Sequence, residues 1–136
     1  MAAPNIVNVS TITGVTTSVS GIATLGVDSG FQQSGVTTIV TNAASSGKVL
    51  KINALVATAI GDTTGVDVNI YDTAGRHYDA ISTVSLATTM TVPLYSSLAV
   101  IDKTNSIYLE ENKQIGVMAQ SNAGTIDIVC AYEEIS

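Results

Sequence analysis

The sequence predicts an all-β fold: a single antiparallel β-sandwich or jelly-roll-like domain of about eight strands, preceded by an extended N-terminal arm. Three observations lead there. Hydrophobic residues make up 46% of the 136-residue chain but aromatics only 4%, with no Trp. The apolar bulk is therefore Val, Ile, Leu and Ala, set among many Ser and Thr, and β-branched side chains pack better on a pleated sheet than on a helix. Turn residues recur at roughly 8–12-residue spacing between apolar runs. The last third, from Ser96 to Ser136, alternates in short runs (Ile115–Gln120, Thr125–Tyr132) joined by polar turns.

The elements follow in order. Residues 1–30 read as the arm, with no charge before Asp28 and with Gly14, Gly21 and Gly26 interrupting any regular element. Its apolar residues Ile6, Val9, Ile12, Val15, Val19, Ile22 and Leu25 cannot be buried by the arm alone. They are candidate interface residues, expected to form one or two short strands and to lie on a neighbouring subunit or a larger particle rather than only on the protein's own domain. The sandwich proper is expected over 31–136. Val36–Thr41 is a strand, followed by the turn NAASSG. Lys48–Thr58 alternates, with Leu50, Ile52, Ala54 and Val56 on one side and Lys51 and Asn53 on the other. After GDTTG, Val66, Val68 and Ile70 face in, while Asp67, Asn69 and Tyr71 face out.

Strands Tyr78–Val84 and Leu86–Val92 come next, the second with Leu86, Thr88, Met90 and Val92 on one face. Pro93 ends it, having no N–H for the ladder. Leu98–Ile101 and Ile107–Leu109 flank DKTNS, and LEENKQ has room for one helical turn. Period-two alternation puts Leu50, Ile52, Val56, Val66, Val68, Ile70, Ile115, Val117, Ile126, Ile128 and Cys130 in the core.

Charge narrows the function. The net charge is −6, and the five basic residues (Lys48, Lys51, Arg76, Lys103, Lys113) are scattered. Binding of nucleic acid or an anionic membrane needs clustered Lys and Arg, so neither is an expected partner. No apolar run reaches the roughly 18 residues of a membrane span. MAAPNIVNVS lacks the basic start and continuous apolar stretch of a secretory signal, and a lone Cys130 forms no internal disulfide. Only 12% of residues are charged, about half the usual share, which suits a surface covered by partners.

No constellation carries chemistry. His77, beside Asp79, lacks the Gly-x-Ser-x-Gly elbow of a hydrolase and reads as a solvated hairpin residue. Asp62, Asp67 and Asp72 recur every five residues without the calcium-loop pattern, and two of them are ordinary turn residues. Glu110 and Glu111, like Glu133 and Glu134, are adjacent and so point to opposite faces of a strand. Cys130 alternates with Ile126 and Ile128 and has no basic neighbour to activate it. The chain is expected to be no enzyme and to take no metal or cofactor.

Four stretches, MAAPNIVNVSTITG, TNAASSGKVLKIN, SSLAVIDKTNSIYLEENKQI and the final YEEIS, resemble small virion structural proteins of tailed phages, especially contractile-tailed phages of marine cyanobacteria. The resemblance implies a virion component, assembled in the host cytoplasm, with no catalytic residues to carry over. The first expectation is a capsid decoration (cement) protein, a homo-oligomer bound to the major capsid protein. Alternatives are a tail, neck or fibre component, or a carbohydrate- or ligand-binding β-sandwich, which would want clustered exposed aromatics.

Overall fold

Two antiparallel sheets, one of five strands and one of four, account for every named element. The computed structural model describes residues 8–22, 36–73, 84–119 and 124–136. Among them are nine strands and no helix: β1 (Ile12–Ile22), β2 (Thr37–Asn42), β3 (Val49–Ile60), β4 (Thr64–Asp72), β5 (Val84–Val92), β6 (Ser97–Ile101), β7 (Ile107–Leu109), β8 (Lys113–Ala119) and β9 (Thr125–Ile135). One sheet, sheet A, runs β1-β9-β3-β6, with β7 also on β3. The other, sheet B, runs β2-β8-β4-β5. All these pairings are antiparallel.

The topology is a jelly roll. β6 and β7 share one strand position, because β6 pairs with Leu55–Thr58 and β7 with Leu50–Ile52 of the same strand. Counted together they leave eight positions. First then pairs with last, second with seventh, third with sixth and fourth with fifth: β1 with β9, β2 with β8, β3 with β6–β7, and β4 with β5. A long hairpin rolled up on itself gives this order, and the two resulting sheets close over one core.

That core lies between the sheets and is aliphatic. Ile52, Leu55, Ile115, Ile126 and Val117 are fully buried, with Cys130 among them. Of the core expected from the sequence, Leu50, Ile52, Val66, Val68, Ile115, Val117, Ile126, Ile128 and Cys130 are buried, and Ile70 is half-buried against the same cluster.

Val56 is the exception, and a bulge explains it. In the β3–β9 ladder Ile52 faces Tyr132 and Ala54 faces Ala131, leaving Asn53 as an extra residue. An extra residue in a strand moves every later side chain to the opposite face. Leu50 and Ile52 therefore point inward, but beyond Asn53 the inward set is Leu55, Ala57 and Ala59, all buried. Ala54 and Val56 turn outward. β5 departs from strict alternation too: the register shifts between Val66–Met90 and Val68–Ala87. Ala87 and Val92 are buried there, while Thr88 and Met90 are exposed.

Sheet B is covered on both faces. Asp67, Asn69 and Tyr71 lie on the outward side, yet all three are buried. The Tyr71 ring lies over Gly116, where a Cβ would come within 2.8 Å of its Cε1, and its hydroxyl hydrogen-bonds Thr38 Oγ1 at 2.9 Å. The LEENKQ segment is a tight turn between β7 and β8, with Asn112 at φ 63°, not a helical one. Most of the expected strand Tyr78–Val84 lies outside the described residues.

Stability measurements on three variants separate the two faces of β3 and β9. Ile52→Ala and Ile128→Ala should each cost about 2–5 kcal/mol in urea unfolding, because each leaves a cavity. Val56→Ala, beyond the bulge, should cost less than about 1 kcal/mol. Equal losses at Ile52 and Val56 would contradict the bulge at Asn53.

Candidate functional site

Parts of four stretches, Ser10–Gly14, 41–53, 107–115 and 132–136, meet at one end of the sandwich. Ser10 and Thr11 donate their backbone N–H groups to Ser136 O at 2.7 and 3.0 Å, and Ser136 N returns a bond to Thr11 O. Asn42, buried in the turn after β2, donates Nδ2 to Lys48 O and to Leu109 O, each at 3.0 Å. Its Oδ1 accepts from Ser46 Oγ at 2.5 Å. Gly47 N donates to Glu111 Oε1 at 2.7 Å. Lys48 Nζ reaches Glu134 Oε2 at 2.7 Å. Each group is committed to tying one connection to another, so these residues are scaffold.

Charge gathers at this same end. Lys51 stands opposite Glu133 in the β3–β9 register, and Lys113 pairs with Asp72 across β8 and β4. These pairs are partly exposed and so contribute little apiece. Of the three aspartates weighed as a calcium set, Asp62 caps its own turn through Thr63 N at 2.7 Å, Asp72 holds Lys113, and Asp67 is buried on sheet B. Among the described residues no three His, Cys, Asp or Glu side chains gather as a metal ion would require, and no helix is long and apolar enough to cross a membrane. His77 and Asp79 lie outside the described residues.

Among the described residues, Asp102, Cys130 and Tyr132 are titrating groups shaped by their surroundings. The Thr104 hydroxyl and amide, with the Asn105 amide, donate to Asp102 and hold its carboxyl below its ordinary range. This locks the turn between β6 and β7. Cys130 is buried in the core, and loss of water pushes its thiol up to about 11. It packs as a small hydrophobe.

The surface that stands apart is the outer face of sheet A. Its rows follow from the ladder. Ser18, Val129, Val56 and Ala99 lie side by side across β1, β9, β3 and β6, next to the row Thr16, Ala131, Ala54. On the other side come Asp127, Thr58 and Ser97, with Thr58 Oγ1 and Ser97 Oγ 2.8 Å apart. Asp127 is the one charge in these rows, and its Oδ1 accepts from Gly21 N at 2.9 Å. Val129 is 48% exposed at the centre. No long side chain rises from these three rows, so this patch is flat and small-featured, while toward the charged end the same face goes on to Gly14, Glu133, Lys51 and Tyr108. Ile60 continues the patch toward the exposed Leu94 and Tyr95.

The expected arm residues are placed as follows. Ile12, Val15, Val19 and Ile22 lie in β1, which pairs with the protein's own β9. Residues 12–22 are thus an edge strand of the sandwich, and a boundary at residue 30 does not set them apart from it. Ile22 is buried, Val15 and Val19 are half-buried, Ile12 is exposed and Val9 is half-buried just before the strand. Ile6 and Leu25 lie outside the described residues. The sequence reading passed over Val129 and Ala131, although a signal was present: these two outward positions in the middle of β9 are apolar, between the charged Asp127 and Glu133. No protein-family model matches the chain, and no curated protein matches it significantly.

The buried thiol has a consequence for stability. In the unfolded chain it ionises around its ordinary 9.0, whereas in the fold it stays protonated to about 11. The unfolded state alone therefore gains from rising pH in that window. The contribution is complete below pH 9 and is lost as pH rises through 11, amounting to roughly 2–3 kcal/mol. Burial and the neighbouring Glu134 also raise Tyr132, which adds a slope of the same sign. Unfolding free energies measured across this window should decline, and Cys130→Ala should reduce the decline. An unchanged slope in that variant would contradict the assignment.

Proposed function

We propose that this protein is a virion structural component, a capsid decoration protein that binds the outside of a phage head and stiffens the shell. The outer face of sheet A carries the reading. A rigid sheet bearing Ala, Val, Ser and Thr, with Val129 at its centre, suits attachment to another flat protein surface. Burial of apolar area there is worth roughly 25 cal/mol per Å², less the costs of association. Contacts repeated over a lattice add by avidity. Two further features support the reading: the resemblance of the four end-gathered stretches to tailed-phage proteins, and a jelly-roll fold, which viral capsid proteins also use. The second is analogy at the level of fold. The proposed location is the virion, assembled in the host cytoplasm, with the major capsid protein as partner.

Binding to phage heads stripped of their accessory proteins tests this. The wild-type protein should saturate a fixed number of sites per head. Val129→Lys buries an unpaired charge at the contact and should weaken occupancy at least about tenfold, with unchanged thermal stability. Equal occupancy by the variant would remove this face from the interaction. Capture by purified tails in place of heads would move the protein to the neck or tail.

A further inference from the structure

We propose that the free edge of β1 pairs with β1 of a second copy, antiparallel about a two-fold axis, so that sheet A runs unbroken through a dimer. This goes beyond the head-binding reading and does not depend on it, since it concerns an edge and not a face.

The main-chain groups of this edge can be assigned. Thr11 and Ser136 exchange both backbone hydrogen bonds. In an antiparallel ladder such pairs alternate with pairs that exchange none. Thr13, Val15, Thr17 and Val19 therefore bond to β9, in register with Glu134, Tyr132, Cys130 and Ile128. Ile12, Gly14, Thr16 and Ser18 aim their N–H and C=O groups the other way. Among the described residues no strand takes them up.

Edges of this kind are normally blunted by charge, Pro, bulges or brevity. β1 has no charge and no Pro, and its register with β9 is unbroken from Ile12 to Val19. The other edges differ. β2 has six residues and a register shift. β5 meets β4 through two shifts. β6 and β7 are separated by the turn that carries Asp102 and Lys103.

Several features favour a second copy over a foreign strand. Two-fold pairing sets β1 against its own sequence, so a charge near the axis would meet a like charge, and β1 has none. With the axis at Thr16, Gly14 falls opposite Ser18 of the other copy, and the free sets match in spacing. The chain carries net charge −6, yet β2, which shares this flank in the jelly roll, is uncharged as well. Two copies therefore approach here without repulsion. Pairing also continues the inward row of half-buried Val15 and Val19 into the second core. An isologous contact of this type closes on itself and stops at two.

A single substitution discriminates. Thr16→Pro removes an N–H from the free edge and puts the ring there, while the β9 ladder keeps all its bonds. Sedimentation equilibrium should find the wild-type particle mass halved in Thr16→Pro and retained in Thr16→Val, with all three equally folded by circular dichroism. If the proline variant is misfolded, Thr16→Lys, which sets two ammonium groups across the axis, should halve the mass instead. Backbone amide exchange supplies a second readout: Gly14, Thr16 and Ser18 should lose protection on dilution, while Val15, Thr17 and Val19 keep theirs. A monomeric wild-type protein, or an oligomer indifferent to these substitutions, would overturn the proposal.

Discussion

β9 is the strand on which the rest of the structure depends. It is eleven residues long and is paired along its length on both sides, to β1 and to β3. A central strand in this position satisfies its backbone groups from two neighbours while its inward side chains fill the core. Ile126, Ile128 and Cys130 do the filling. The pairing also joins the two ends of the sequence, because β1 lies against β9 from Ile12 to Ile22. Such long-range pairing costs loop-closure entropy before contacts reward it. Turns that hold the intervening strands in place lower that cost, and the network of Asn42, Ser46, Gly47 and Glu111 at the charged end is one of them.

Much of this was legible in the sequence. Alternation located β2, β3, β4, β6, β7, β8 and β9 to within a few residues, since period-two patterns on a half-buried sheet are read directly from side-chain type. Gly, Asp and Asn marked the described turns at 43–48, 61–63 and 102–106, and Pro93 ended β5. The bulge at Asn53 was not legible. Nothing in KINALVATAI distinguishes a continuous alternation from one shifted by a residue, because Ala54 and Val56 are as apolar as Leu55 and Ala57. Only the ladder to β9 decides between them. Residues 1–30 were expected to hold one or two short strands, and β1 is such a strand. Its partner β9 was not legible, because a segment of Thr, Ser, Val and Gly names no pairing strand and suits its own domain or a neighbour equally.

The surface is divided. Ion pairs and turn hydrogen bonds gather at one end, where they bind the connections together. The patch around Val129 on the outer face of sheet A and the free edge of β1 carry little or no charge. A solvated monomer gains nothing from that division, because uncharged sheet surfaces invite association. It suits a protein that is covered on one face by a shell and joined at one edge to a copy of itself. The proposed head-binding face and the proposed self-pairing edge meet along β1, where Thr16 and Ser18 present side chains to the face and main-chain groups to the edge. Both contacts can form together without competing for the same atoms.

The central claim is that the outer face of sheet A is buried against a phage shell. A cryo-electron microscopy map of the whole particle, at a resolution that separates strands, tests it most directly. The account predicts density for the sandwich on the outside of the head, with Val129 and Val56 turned toward the major capsid protein and the charged end around Lys48 and Glu134 left in solvent. A sandwich whose sheet A faces solvent, or density for this chain only in the tail, would contradict it.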